Sequence, residues 1–293
     1  MIDLHLHTTA SDGRLSPAEL VARASAAGLT TISVTDHDTV AAIAEVTEAA
    51  KGVNIRVVPG IEITAVDDGR DVHMLGYFFD PLSTTLAAVL EQQRALRVAR
   101  VREIGARLAA LGMPIDVESV LLAAAARPGS SVGRPQVARQ LVQAGYVTSV
   151  QEAFDQWLAT GRPAFLPRTG PSPAAIVDTI HQAGGVASIA HPAVTRRDEL
   201  IAPLVEHGLD AIEVYHSDHS PEAEQTYKVM AKRLGALVSG GSDFHGDDST
   251  LNPSRTRRSI LGVVCLPTTA FAALEARAFR LRQGFGETGS GRE

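Results

Sequence analysis

"MIDLHLHTTASDG", residues 1–13, sets Asp3, His5 and His7 on alternate positions of a short apolar run. A strand repeats every two residues, so these three side chains share one face while Ile2, Leu4 and Leu6 share the other. Three metal-competent side chains on one face of a buried strand are costly unless something binds them. Asp12 follows, beside Gly13, in a turn-like stretch. A strand with a solvated polar face is the simpler reading of a lone histidine. His-x-His followed by a turn and a carboxylate points instead to a ligand set.

Outward from this strand, strand-like and helix-like segments alternate. "SPAELVARASAAG" (16–28) carries Ser16 as an N-cap, Pro17 at the first helical position and Gly28 past the end. "LTTISVTDHD" (29–38) reads as a second strand, and "TVAAIAEVTEAAKG" (39–52) as a helix capped by Asp38 or Thr39. "NIRVVPGIEITAV" and "DVHMLGYFF" read as two more strands around the turn "DDGR" (67–70). The alternation resumes with strands at "VASIAHP" (186–192), "LDAIEVYH" (209–216) and "ALVSGGSDFH" (236–245), each preceded by a helical segment. Repeated units of this kind imply an α/β fold with a parallel sheet curled into a barrel.

The rhythm breaks at residues 84–165, where "TTLAAVLEQQRALRVARVREIGARLAALG" reads as one long helix and "RPQVARQLVQAG" and "SVQEAFDQWLATG" as shorter ones. This stretch is expected to be a helical insertion domain between two parts of a barrel, residues 1–83 and 166–283, with residues 284–293 a disordered tail.

The chain has 293 residues and a net charge of -6. It has no run rich in lysine and arginine, which argues against a broad surface for duplex nucleic acid. Its single cysteine, Cys265, lies in the apolar run "SILGVVCLP", excludes an internal disulfide and reads as a core thiol. No signal-peptide pattern and no apolar run near the ~20 residues of a membrane span are present, so the expected compartment is the cytoplasm, without membrane contact.

His5, His7, Asp12, His37, Glu62, His73, His191, Asp243 and His245 are all expected at the C-terminal ends of strands. In a parallel barrel those ends face one mouth. Imidazoles and carboxylates without a thiolate suit manganese, iron or zinc and exclude iron–sulfur clusters. Nine ligands suffice for two or three divalent ions if Glu62 bridges, an arrangement suited to phosphoryl transfer.

This ordered series, His-x-His with a following Asp, "TDHD", "PGIE", a lone His, "AHP" and "GSDFH", resembles the PHP (polymerase and histidinol phosphatase) family over roughly residues 1–80 and 165–250. The resemblance implies a distorted (β/α)7 barrel with a trinuclear centre. It would assign His5, His7, Glu62 and Asp243 to one ion, Glu62, His73 and His191 to a second, and Asp12, His37 and His245 to a third. The helical insertion with "VGRPQVARQL" looks like the branch containing nucleoside 3',5'-bisphosphate phosphatases and short-oligoribonucleotide exonucleases. That branch is expected to carry GRPH, where this chain has Gln136. The implied activity is hydrolysis of small nucleotide phosphoesters by a metal-activated hydroxide. A histidinol-phosphate type of phosphatase is the alternative, with a non-catalytic metal-binding module further off. Amidohydrolases also open with His-x-His, but "GIEIT" offers Glu62 and no bridging lysine.

Further residues are placed by position. Arg134, in "SSVGRPQVA" at a helix start, is suited to an anion. Arg168 lies where the chain re-enters the barrel. His216 and His219 follow the strand "AIEVYH" and would face the mouth, His216 to serve a leaving group beside Glu62 and His191, and His219 to touch substrate. Asp3 is expected to orient an imidazole. His181 and His207 read as surface residues, and Asp36 as a loop brace.

Overall fold

Apolar side chains on one side of each strand pack against helices, and this decides where the polar ones point. Leu6 of β1 (Ile2–Leu6) and Ile32 and Val34 of β2 (Thr31–Val34) pack with Leu20 and Val21 of α1 (Pro17–Ala26) and Val46 of α2 (Ile43–Ala50). His5 and His7 therefore face away from the helices. Helix α1 begins as expected. Ser16 accepts from the Glu19 N–H, and the Glu19 carboxylate accepts from the Ser16 N–H at 2.8 Å, a reciprocal cap with Pro17 in the first turn. Helix α2 starts later than expected and has no side-chain cap. Asp38 is committed elsewhere: its carboxylate accepts from the Thr64 N–H at 2.7 Å.

The computed structural model describes residues 1–126, 131–246 and 260–288. Seven strands form one sheet in chain order, β1 and β2 being followed by β3 (Arg56–Asp67), β4 (Arg70–Tyr77), β5 (Val186–Ile189), β6 (Ala211–His216) and β7 (Leu237–Gly241). The ends approach each other. The His7 N–H donates to Phe244 O at 2.9 Å and the Asp243 N–H to His5 O at 2.8 Å, giving a nearly closed barrel. Gly241 permits the approach, since a Cβ there would lie 2.3 Å from the His5 nitrogen.

The sheet is not parallel throughout, which corrects the expectation. β4 runs antiparallel to both β3 and β5. Asp68 and Gly69 take φ of 49° and 70°, a two-residue hairpin turn that reverses the chain. Glu62 lies inside the long β3 rather than at its end. His73 lies mid-strand opposite Thr64. β4 consequently ends away from the mouth, with Tyr77 paired to Val186 at the start of β5.

Helix α3 (Thr84–Ala110) starts from that lower end. Its first turns belong to the barrel: Leu86 and Leu90 pack with Ile63 of β3 and Ile176 and Ile180 of α7 (Pro173–Gln182). Its second half carries Val101, Ile104 and Leu108 into a separate core. There they meet α4 (Val117–Ala125), α5 (Arg134–Gln143) and α6 (Val150–Ala153), which continues as a π-helical turn Phe154–Leu158. Short α8 (Pro192–Thr195), α9 (Ile201–His207) and α10 (Pro221–Leu234) cover the later strands. Helix α11 (Thr268–Thr288) runs through the first part of the expected tail, whose last five residues, 289–293, lie outside the described residues. Among the described residues, no helix is long and apolar enough to cross a membrane.

Candidate metal centre

Glu62 sits between Ile61 and Ile63, which pack outward, so its side chain enters the barrel and is 1% exposed. Its Oε2 is 3.3 Å from His5 Nε2, 3.3 Å from His7 Nε2 and 3.1 Å from His37 Nδ1. Its Oε1 is 2.8 Å from His73 Nδ1 and 3.0 Å from His191 Nε2. Asp243 Oδ1 lies 3.4 Å from His5 Nε2, 3.2 Å from His7 Nε2 and 3.5 Å from His245 Nδ1. Asp12 approaches His245 Nε2 at 3.2 Å, and His7 and His37 at 3.8 Å. All nine residues singled out from sequence thus meet around three carboxylates. Donor atoms lie within 4.8 Å of one another in four groups: His7, Asp12, His37 and His245; His5, His7 and Glu62; His37, Glu62 and His73; His5, His216 and Asp243. His37 stands between Asp12 and Glu62, so it faces two of these groups.

The side chains fit divalent cations. Both nitrogens of His7, and Nδ1 of His37 and of His73, are buried without an aligned hydrogen bond. Buried unpaired imidazoles gathered on carboxylates are unfavourable until a cation takes their lone pairs. The charges conflict in the same way. Burial opposes the charge on His7, yet Asp243 and Glu62 outweigh it and push His7 up to about 10. Burial drives His37 down to about 3 despite Glu62 and Asp12. Glu62, also disfavoured by burial, is held well below the usual carboxylate range by His37, His73 and His5.

A second layer orients the rings. Glu213 of β6 accepts from His5 Nδ1 at 2.8 Å and from the His191 N–H at 2.6 Å. His245 Nδ1 donates to Asp243 O at 2.9 Å, which leaves Nε2 toward Asp12. Asp36 braces the loop that carries Asp12, accepting from the Thr8 N–H at 2.8 Å, Thr8 Oγ1 at 2.6 Å and Ser11 Oγ at 2.6 Å. His191, Asp243 and Asp38 adopt φ of 28°, 55° and 51°. Left-handed backbone at non-glycine residues is strained, and here it gathers at the site.

Several expectations need correction. Asp3 orients no imidazole: its Oδ1 accepts the N–H groups of His5 and Ser242 at 3.2 and 2.9 Å, joining β1 to the end of β7. Burial pushes Asp3 up to about 6. His216 meets the centre at Asp243, beside His5. It is fully buried, its Nδ1 accepts the Asp218 N–H at 3.0 Å, and its Nε2 then donates to Asp243 Oδ2 at 3.3 Å. It therefore supports Asp243. His219 is 1% exposed, donates from Nδ1 to Val214 O at 2.7 Å, and packs between the rings of His216 and Tyr227. His181 is half-buried, with its Nε2 2.8 Å from Asp210. His207 is exposed, beside Asp178.

Arg134 and Arg168 do border the centre, and Arg97, which the sequence reading missed, joins them. One cavity is lined by Asp12, His37 and His73 together with Arg97, Arg134 and Arg168. Arg97 is tied to Asp38 through Nε, to Thr64 Oγ1 at 3.1 Å and to Val132 O at 3.2 Å. Arg134 meets Asp71 at 3.0 Å, with its guanidinium 5.9 and 5.8 Å from the ring centres of Phe154 and Phe165. Arg168 Nε and Nη1 are buried without a hydrogen bond, although Asp71 and Asp38 lie 3.5 and 3.7 Å away. Ser131 Oγ in the same lining is also unpaired. Both residues line the cavity, with these donors buried and without a hydrogen bond.

Comparison with known proteins agrees with this geometry. The PHP domain family model matches residues 3–130. A 5'-3' exoribonuclease of Haemophilus influenzae is 38% identical over 248 residues, covering 83% of this chain and 89% of that protein. A 3',5'-nucleoside bisphosphate phosphatase of Chromobacterium violaceum is 32% identical over 289 residues, covering 95% and 98%. A crystal structure from Bifidobacterium adolescentis, provisionally described as a metal-dependent phosphoesterase, superposes with a TM-score of 0.83 at 32% identity, covering 94% of this chain and 96% of that one.

Proposed function

This chain belongs to the PHP family of metal-dependent phosphoesterases, and on that premise we propose that it removes the 3'-phosphate from nucleoside 3',5'-bisphosphates and shortens small oligoribonucleotides from the 5' end. It hydrolyses phosphoester bonds. The observation that carries the substrate class is a cavity whose lining combines His37, His73 and Asp12 with three arginines. A molecule with two phosphates suits such a lining: one phosphate at the metal centre, the other against the guanidinium groups.

In this reading His5, His7, Asp12, His37, Glu62, His73, His191, Asp243 and His245 hold two or three manganese, iron or zinc ions, with Glu62 shared. When bound, the ions supply Lewis acidity that polarises the scissile phosphate and offsets its developing charge. The remaining work falls to the chain. Arg168 and Ser131, in the cavity lining, supply donors for the second phosphate. Arg134, steadied by Asp71, adds a charged contact. Phe154 and Pro135 line the apolar part of the cavity, where a nucleoside lies between the two phosphates.

The test is phosphate release from adenosine 3',5'-bisphosphate, adenosine 3'-monophosphate and histidinol phosphate, side by side. The bisphosphate should lead in kcat/KM by about tenfold or more, since the monophosphate lacks one charge-assisted contact. Equal values for the two nucleotides, or preference for histidinol phosphate, overturns the assignment.

A further inference from the structure

Asp12 reaches the centre from a short loop after β1, and the outer side of that loop is held by the insertion. Three consecutive carbonyls are engaged. Ala10 O accepts the Ser131 N–H at 3.0 Å, Ser11 O accepts Gln136 Nε2 at 2.9 Å, and Asp12 O accepts Arg139 Nη2 at 2.8 Å. Gln136 is engaged at both ends of its amide, because its Oε1 also accepts the Gly133 N–H at 2.9 Å at the start of α5. The inner side of the loop is held by Asp36 of the barrel, through Thr8 and Ser11. A carboxylate on a loop gripped from two sides loses little freedom when it ligates a cation. With the outer grip removed, the same loop must be ordered by the cation itself, which weakens binding.

We propose that Gln136 and Arg139 are positioning residues for Asp12, so that the helical insertion sets the occupancy of the ion held by Asp12, His37 and His245. The inference rests on the ligand assignment above, but not on the identity of the substrate. It gives the departure at position 136 a defined role: the amide bridges the N-terminus of α5 to the metal loop. It also makes the insertion more than a wall of the cavity. The segment that lines the substrate's second phosphate and the segment that fixes Asp12 are the same turn of chain, from Ser131 to Arg139. By linkage, whatever steadies that turn strengthens the Asp12 ion, and the ion steadies the turn in return.

The experiment measures metal content and manganese affinity in four proteins: the parent, Asp12→Asn, Gln136→Ala/Arg139→Ala, and Arg139→Lys. Each is stripped, retitrated with Mn²⁺ against a chromophoric chelator, and assayed for bound metal after gel filtration. Asp12→Asn should lose about one equivalent and so identify the ion concerned. The double variant should weaken the same equivalent by about tenfold or more, leave the others at parental affinity, and melt like the parent when metal-free. Arg139→Lys, which keeps one donor, should fall between them. Parental affinity for every ion in the double variant overturns the proposal, as does uniform weakening of all ions. Asp12→Asn with undiminished metal would instead refute the ligand assignment, a separable outcome. Substrate preference does not enter any arm.

Discussion

His5 Nδ1 lies 2.8 Å from Glu213 Oε1, with both side chains fully buried, so the ring must donate from Nδ1 and present Nε2 to Glu62 and Asp243. The same glutamate receives the His191 N–H, and so fixes both a ring and a strained backbone turn. Glu213→Gln keeps the shape but removes the charge that favours this arrangement. Metal affinity should fall by about 10- to 100-fold with the fold intact. Chelator competition together with far-ultraviolet circular dichroism checks this; unchanged affinity would mean that the ring holds its orientation without the carboxylate.

Metal loading should expel protons near neutral pH. In the metal-free protein burial disfavours protonated His7, but Asp243 and Glu62 prevail and raise it to about 10; His5 is likewise raised well above the ordinary value by Glu213 and Glu62. Both rings therefore carry a proton at neutral pH that a cation must displace. The sign follows: affinity rises with pH through the neutral range and falls on acidification. Calorimetric titration with Mn²⁺ in two buffers of different ionisation enthalpy measures the count. Zero net release would show that the rings are already neutral.

Arg168→Ala should raise KM for adenosine 3',5'-bisphosphate by about ten- to a hundredfold and change kcat little, because Arg168 lines the cavity and its Nε and Nη1 make no hydrogen bond within the protein. Arg134→Ala should act in the same direction but less, since its Nη2 already hydrogen-bonds Asp71 at 3.0 Å. Metal content should stay parental in both. The reverse ranking would place the second phosphate nearer to Phe154 and the π-helical turn.

Arg97→Met should destabilise the protein by about 3 kcal/mol, because Asp38 is left charged and buried with only Arg168 nearby. Adding Asp38→Asn should recover part of the loss, as asparagine removes the charge and tolerates φ of 51°. Thermal melts of both variants decide this. Failure of the second change to help would trace the loss to packing of the Arg97 stem rather than to charge.

The nine clustered side chains were legible because each interrupts an apolar run at a strand-like period, a local signal. The arginine wall was only half legible. Arg134 and Arg168 stand beside glycine and proline at chain turns, which marks them. Arg97 is one of several arginines on a helix of 27 residues, and nothing local says which faces Asp38. Glu213 carried a signal that went unread, a carboxylate inside the strand "AIEVYH", where burial demands a partner. The reversal of β4 was encoded by Asp68 and Gly69 but was overridden by the assumption of uniform alternation. Because every expected ligand lies outside residues 84–165, the sequence suggests an insertion that could be removed without harm to the metal centre. The bonds from Ser131, Gln136 and Arg139 to the Asp12 loop, and from Arg97 to Asp38, nevertheless join the insertion to the barrel beside the centre.

Since β4 ends at the lower face of the barrel, α3 has to climb the barrel wall before it reaches the mouth. At its length of 27 residues the helix spans about 40 Å, anchored low by Leu86 and Leu90 and delivering Arg97 part-way up. It works as a gauge with both a length and a phase. One residue added between Leu90 and Arg97 would turn everything above it by about 100° and swing the guanidinium away from Asp38. Seven added residues would restore the phase but raise the arginine by about 10 Å, clear of its partner. Substitutions along this shaft are cheap where it is exposed, whereas insertions and deletions of any size uncouple the arginine wall from the metal centre.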